Sequence, residues 1–429
     1  VLALGALSLP RLVSLWAPHP IKTGDGRLAL EIAQESLFSA EFWLAERPFA
    51  LSLVAKLVGG SEVALVRAQT LLGAFAWGLA ATMLARLVVN RWLSVGVFVA
   101  VLGLGLTTPV LGWDRVVRSE SLALSCTLLV LACTLGALRA SSAPSGAHPY
   151  RWVLGAALAA TLGAFARDTV AYLLPLVAAL ALGVNRKARP VHWLAGSLLA
   201  AALACNVTLA LSQRYTVPLM NTIFRRVLVS PSKLAYFREQ QAMPVSAALL
   251  ERSRAFATDD DEAAFRSPEL AEFRGWVATR GYAAYRRYLL SRPVATIAEA
   301  AEKFPTFAAW EIGGVDFGEP GLGSKLTDPW LRRGVIAEHP LAALLLLALS
   351  AGLALRTRPH GARLLGMVAL FALAGTLTQT YICFHADAMA TERHAMMVGL
   401  LLRLGILAAL AALLDVTLDW LERQGATFN

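Results

Sequence analysis

Apolar runs near the roughly 20 residues that cross a bilayer recur along the chain, separated by short polar connections. They predict spans at 1–17, 63–88, 93–112, 119–138, 152–166, 169–184, 192–212, 338–355, 364–383 and 395–414. The expected fold is an all-α polytopic transmembrane helical bundle of about ten spans. The fifth and sixth runs are short and meet at Arg167-Asp168, so that hairpin is expected to be tilted or to cross incompletely. Two polar stretches break the pattern. Residues 18–62 hold a helical stretch from Arg27 to Leu37, then Glu46-Arg47-Pro48 and a second amphipathic stretch toward Lys56. Residues 213–337 contain Asp259-Asp260-Asp261-Glu262, Ser267-Pro268 and the run Tyr282, Tyr285, Arg286, Arg287, Tyr288, which read as short helices joined by turns. The expected organisation is an N-terminal transmembrane module, 1–212, with a first loop at 18–62; a helical loop or cap, 213–337; and C-terminal transmembrane helices, 338–429.

Composition supports this class. Hydrophobic residues fill 57% and charged residues 16% of the 429 positions, with mean hydropathy +0.58; a soluble domain carries roughly 25% charged residues. The net charge of +10 reads as positive-inside bias with sites for anionic membrane lipid, not as a nucleic-acid surface. Alternate connections carry Arg86 and Arg91; Arg139 and Arg151; Arg186, Lys187 and Arg189; Arg356, Arg358 and Arg363. That face is therefore expected to be cytoplasmic, with residues 18–62 and 213–337 outside. Val1 to Leu15 reads as the remainder of a first span or an uncleaved anchor, since no Ala-x-Ala-type site follows. Cys126, Cys133, Cys205 and Cys383 lie in apolar segments, the first two separated by two helical turns and too distant to bridge.

Ionisable residues at a membrane boundary are costly unless paired or wet. On the outer side they come from several connections: Asp25 and Arg27; Glu46 and Arg47; Asp114, Arg115, Arg118 and Glu120; Arg167 and Asp168; and His385, Asp387, Glu392, Arg393 and His394. Arginines here run against the positive-inside trend, and a phosphate held by paired donors would account for them. Asp25, in Thr23-Gly24-Asp25-Gly26-Arg27, is either a carboxylate that takes a proton from an acceptor hydroxyl or an N-cap for the helix near Arg27. Arg118 is either a phosphate contact or a partner of Asp114 or Glu120. Arg393 is a phosphate contact, a partner of Glu392, or a snorkelling residue at a helix start. His385 and His394 read as satisfied boundary residues rather than metal ligands. Arg403 lies mid-span and needs a partner or a wet cavity, as either a functional basic group facing inward or an interhelical pair. The run from Tyr282 to Tyr288 reads as an amphipathic face resting on the membrane, or a contact for an acceptor glycan.

The first loop resembles the GT-C superfamily of integral-membrane glycosyltransferases, which includes the protein O-mannosyltransferases and the aminoarabinose-lipid A transferases. Gly24-Asp25-Gly26-Arg27-Leu28-Ala29-Leu30-Glu31-Ile32-Ala33 looks like the acidic motif and amphipathic helix of that loop. Glu46-Arg47-Pro48-Phe49, then Lys56-Leu57-Val58-Gly59, looks like the segment that leads into the second span. Gly26 stands where the motif often has a second acid, and Phe49 where it has a proline. The resemblance implies Asp25 as catalytic base. It implies the arginines opposite, especially Arg118 and Arg393, as contacts for a donor phosphate. With the outer charge cluster, Arg27, Glu46, Arg47, Asp114, Arg118, Arg167, Asp168, Arg393 and His394 are the candidate substrate-binding residues. The resemblance further implies a polyprenyl-phosphate sugar donor, a lipid, glycan or protein acceptor, and action at the outer face of a prokaryotic inner membrane. A divalent metal is compatible with this but not indicated by the residues. Two other readings stand beside it: a transporter or flippase for an amphipathic anion, against which the absence of half-to-half symmetry counts, and a non-catalytic assembly partner of the same fold.

Overall fold

The computed structural model describes residues 11, 15, 19–142, 148–255, 267–310, 317, 322–356, 360–389 and 391–427. The first predicted span, apart from Arg11 and Leu15, and the Asp259–Glu262 run lie outside the described residues. The chain is an all-α membrane bundle, with no strand among the described residues. Six helical segments there are long and apolar enough to cross a membrane, or seven when a bent pair counts as one.

Helix α1 (Gly24–Ile32) lies in the first loop and leads to α2 (Glu62–Ala85). The span expected at 93–112 is broken into α3 (Arg91–Leu104) and α4 (Thr108–Arg115), which meet at 50°. Helices α5 (Glu120–Ser142) and α6 (Pro149–Ala166) follow. The short turn Asp168–Ala171 leads to α7 (Leu174–Asn185), and α8 is Arg189–Ser212. After the cap come α9 (Pro340–Leu355), α10 (His360–Ala386) and α11 (Met396–Thr427). The expected spans at 152–166 and 338–355 are helices of 18 and 16 residues.

Helix α5 is the axis of the N-terminal half. Every side chain from Glu120 to Leu138 is buried, against α2, α6 and α8. The outer helices are apolar on the wrong side for water: Leu199, Leu203, Val207 and Leu211 recur every four residues along α8 and are exposed. A soluble helix would be polar there.

The break between α3 and α4 has a partner. Thr108 donates its backbone N–H to Asp328 Oδ1 at 2.8 Å, and Ser324 donates to the Leu106 carbonyl at 3.0 Å. The segment 322–333 thus satisfies backbone groups that a broken span would strand in lipid. Arg403 of α11 holds the same segment from the other side. It donates to the carbonyls of Leu331 (2.7 Å), Ala308 (2.9 Å), Gly399 (3.2 Å) and Arg332, and its guanidinium lies 4.8 Å from the Trp310 ring centre. The partners expected for Arg403 are thus found on neighbouring segments, and they are main-chain carbonyls.

Phe224, Tyr236, Phe237, Phe273, Trp276, Tyr285 and Tyr288 form an aromatic core for the segment after α8. Tyr285 and Tyr288 therefore point inward, which corrects the expected membrane-resting or glycan-facing run; Arg286 and Arg287 are its exposed members. Tyr285 Oη lies 3.2 Å from His385 Nδ1, and His385 Nε2 lies 3.0 Å from the Thr296 carbonyl, tying this core to the end of α10.

Candidate functional site

Thr23, not Asp25, caps α1: its Oγ1 accepts the Gly26 N–H at 3.1 Å. Asp25 is left in the first turn with its carboxylate free to point elsewhere. Two extended strips of backbone set its direction. Ile21 donates its N–H to the Arg115 carbonyl (2.9 Å), and Val117 donates to the Ile21 carbonyl (3.1 Å). Thr23 Oγ1 lies 3.3 Å from the Val117 carbonyl oxygen and accepts from Arg118 Nε at 2.9 Å. Gln69 of α2 donates to the Val116 and Arg118 carbonyls, both at 3.2 Å, fixing the α4–α5 connection from behind. Gly26 is what permits this approach, because a Cβ there would stand 2.2 Å from the Val117 oxygen. The second acid of the GT-C motif has no room at this position.

Asp25 meets three arginines from three different connections. Arg47 Nη2 is 2.6 Å from Oδ1, while Arg393 Nη1 (3.0 Å) and Arg118 Nη2 (3.3 Å) share Oδ2. The network continues behind Arg393. Glu120 Oε1, in the buried first turn of α5, lies 3.4 Å from Arg393 Nε and 3.0 Å from Arg167 Nη1. Arg167 Nη2 is 2.6 Å from His394 Nδ1, and His394 Nε2 is 3.7 Å from Asp387 Oδ2. Asp387 in turn accepts from Asn221 Nδ2 at 3.1 Å and from the Met389 N–H at 2.9 Å.

Around Asp25 and Glu120, four guanidiniums face two carboxylates. Burial alone would raise the Asp25 carboxyl, but the charges of Arg47, Arg393 and Arg118 and the hydrogen bond from Arg393 outweigh it and hold the group below its ordinary value. His394 is pushed well below the ordinary imidazole value, by burial first and then by Arg167, Arg393, Arg47 and Arg118. It is neutral, and Nδ1 accepts from Arg167. The Nε–H of Arg393 makes no hydrogen bond among the described residues. Guanidiniums that outnumber the carboxylates make this a place for a further anion.

Not every candidate arrives here. Arg47, Arg118, Arg167, Arg393 and His394 join Asp25 in one network. Arg27 is exposed and pairs with Glu31 at 2.9 Å, and Glu46 is exposed outside the network. Asp114 is taken by Arg11, through Nε at 2.7 Å and Nη2 at 2.6 Å, and by Ser121 Oγ at 2.5 Å. Asp168 turns away from Arg167's side of the chain to Arg214 (2.9 Å) and Cys205 Sγ (3.4 Å). Arg118 pairs with Asp25 rather than with Asp114 or Glu120, and Glu120 serves Arg167 and Arg393. The signal for Glu120 was present, an acid opening a helix beside boundary arginines. Thr23 was legible as the polar residue before Gly-Asp-Gly, whereas Arg11, within an apolar run, carried no local sign of its partner.

A cavity of about 380 Å³ opens beside the same turn, lined by Lys22, Thr23, Gly24, Gly26, Arg27, Glu62 and Val117. Asp25, Arg118 and Arg393 meet in direct contact and are not on its wall. Among the described residues, no group of three or more His, Cys, Asp or Glu side chains is placed to hold a metal ion.

No family model matches the chain, and no curated protein matches it. Among solved structures it is similar to the archaeal oligosaccharyltransferase AglB from Archaeoglobus fulgidus, in complex with an inhibitory peptide and a dolichol-phosphate, at 14% sequence identity and a TM-score of 0.43. The match covers 99% of this chain and 51% of that one, so the chain spans about half the length of the protein it resembles.

Proposed function

We propose that the chain is a membrane glycosyltransferase of GT-C type. In this reading it moves a sugar from a polyprenyl-phosphate-linked donor to a lipid, glycan or protein acceptor, with Asp25 as general base. The supporting observation is that Asp25 is bound jointly by Arg118 and Arg393, which approach it from two other connections. This reading takes the face opposite the arginine-rich connections, with Asp25, as extracytoplasmic, following the positive-inside rule.

The chemistry follows from the imbalance of charge. Without donor, the arginines are spent on Asp25 and depress its basicity. A donor phosphate offers them more oxygens and more charge, so it takes over Arg118, Arg393 and the half-exposed Arg47. Freed of those contacts, the Asp25 carboxylate becomes a stronger base as the acceptor arrives. The acceptor oxygen bonds to the anomeric carbon, and its proton passes to Asp25. The bond from that carbon to the phosphate oxygen breaks, and its electron pair leaves on the phosphate, where the guanidiniums stabilise it. Glu120 and neutral His394 hold Arg393 and Arg167 in position without cancelling the surplus.

The test is transfer by the reconstituted protein from a panel of sugar-labelled polyprenyl phosphates to a membrane lipid and glycan extract. Wild type should transfer label from at least one donor, and Asp25→Asn should not, at an unchanged melting temperature. Full transfer by that variant would falsify the assignment. The transporter reading gains no support from the mid-span guanidinium of Arg403, which is engaged with main-chain carbonyls and an aromatic ring.

A further inference from the structure

We infer that a recess at the end of the bundle opposite Asp25 is a binding site for one phospholipid with an anionic headgroup. The recess measures about 530 Å³ and lies between Phe75 and Leu79 of α2, Leu129 of α5, and Arg151, Trp152 and Gly155 of α6. Its wall is apolar and belongs to membrane helices, and Phe75 is largely exposed on it. Phe75 stands ten residues before the end of α2 at Ala85, about 15 Å along the axis at 1.5 Å per residue. That is near the middle of a hydrocarbon core of about 30 Å. The lining covers one turn of each helix, Phe75 to Leu79, Leu129 to Cys133 and Arg151 to Gly155, about 6 Å along the axis, which accommodates a segment of an acyl chain.

The mouth supplies the headgroup chemistry. Arg151 is the one charged residue on the wall. It is exposed, its guanidinium lies 5.5 Å from the Trp152 ring centre, and it stands in the first turn of α6. A tryptophan with an arginine at this level marks the headgroup boundary, and the arginine's stem can follow the apolar wall while its charge reaches a phosphate. Arg139 donates to the Arg86 carbonyl at the same end of the bundle and is not part of the lining. No carboxylate lines the recess. Gly155 keeps the floor open and lets α6 close on α5, since a Cβ there would come 3.0 Å from Cys133 Sγ. Charge complementarity therefore selects an anionic phospholipid of this leaflet over a zwitterionic one.

The site is independent of the role given to Asp25, and its failure would leave that reading untouched. The experiment is native mass spectrometry of the detergent-solubilised protein with phosphatidylglycerol or phosphatidylcholine of identical chains. Wild type should retain one phosphatidylglycerol per chain, preferred about fivefold, as one basic residue near an anionic group supplies. Arg151→Gln, at an exposed position, should bring the preference to about one. Leu79→Trp, which fills the recess, should lower retention of both lipids, whereas Leu71→Trp, exposed on the same helix outside it, should change neither. Arg151→Gln carries the test alone should Leu79→Trp fail to fold. Equal retention of the two lipids by wild type, an unchanged preference in Arg151→Gln, or a lipid-free dimer in which a second copy covers the recess would each overturn the inference.

Discussion

Asp25 and Asp114 are both aspartates bound by arginine near one end of the bundle, and they differ in how the charge is closed. Asp114 faces Arg11 one to one, with two contacts from the same guanidinium and a serine hydroxyl, and both side chains are 4% exposed. Asp25 is shared by three guanidiniums and remains 26% exposed. The first arrangement is complete and ties the start of the chain to α4. The second leaves positive charge in excess around a carboxylate that solvent reaches. Function is to be sought where charges fail to balance at a reachable surface, rather than wherever a charge is buried.

The sharpest way to break this comparison is to neutralise each aspartate in turn. Asp25→Asn should reduce sugar transfer by about 10²–10⁴-fold, the usual contribution of a positioned base, with little change in melting temperature. Asp114→Asn should cost about 3–5 kcal/mol of stability, because it strips a buried guanidinium of its carboxylate, and reduce transfer only in proportion to folded protein. Denaturation and turnover measured on both variants decide the matter, and an exchange of the two phenotypes would end it.

Removing one arginine tests the surplus directly. Arg393→Gln should weaken binding of polyprenyl phosphate by about 10–100-fold, from the ~1.5–3 kcal/mol of a hydrogen bond to a charged group. It should also change the acid limb of the kcat/KM profile, which reports the donor-free enzyme. In wild type Asp25 titrates below the ordinary carboxylate range, so activity should hold as the pH falls toward about 4. With Arg393 gone, a major lowering influence is gone and burial still raises the group, so the acid limb should move to higher pH. An unmoved limb with weaker binding would mean that Arg393 serves the donor without touching the base.

Two glycines give a smaller contrast. Gly26→Ala should cost about 1–3 kcal/mol as an overpacked contact, since its Cβ would meet the Val117 oxygen at 2.2 Å, whereas nothing lies within 4 Å of a Cβ at Gly24. Gly24→Ala should therefore leave the melting temperature in place. Equal effects would mean that α1 is not held by that close approach.

Much of this was legible because it is local. Long apolar runs announce helices, and charges at their ends announce boundary positions, so Asp25, Arg118 and Arg393 stood out one by one. Their meeting did not, because Asp25 and Arg393 are 368 positions apart and no spacing rule reaches that far. A separation of 103 positions likewise hid Arg11 behind Asp114, and Asp25 looked like a helix cap although Thr23, two residues earlier, does the capping. The inward turn of Tyr285 and Tyr288 and the carbonyl partners of Arg403 depend on neighbouring segments that only the folded chain supplies. The bend between α3 and α4 was missed because an apolar run of sufficient length reads as one helix whether or not a second segment satisfies a break within it.

The smallest expected effect concerns His394, and it asks whether the surplus at Asp25 depends on pH. Burial and four arginines hold the folded imidazole well below its ordinary value, near 6.5 in an unfolded chain. As the pH falls through about 6.5, the unfolded chain takes up a proton at this position and the folded chain does not. Its contribution to stability is therefore present above that pH and is lost below it, at up to ~1.4 kcal/mol per pH unit for one proton. Asp25 adds to such a slope only below about 5, where its unfolded carboxyl begins to take up protons, and the slope that other groups share cancels when wild type is compared with His394→Gln. His394→Gln should flatten the stability profile below about 6.5 by one proton's worth. The same slope in both proteins would mean that His394 is protonated in the folded state and that Arg167 has lost its acceptor. If the slope disappears as expected, the positive surplus is carried by guanidiniums alone. Donor affinity should then be constant between pH 6 and 8, apart from the titration of the donor phosphate itself.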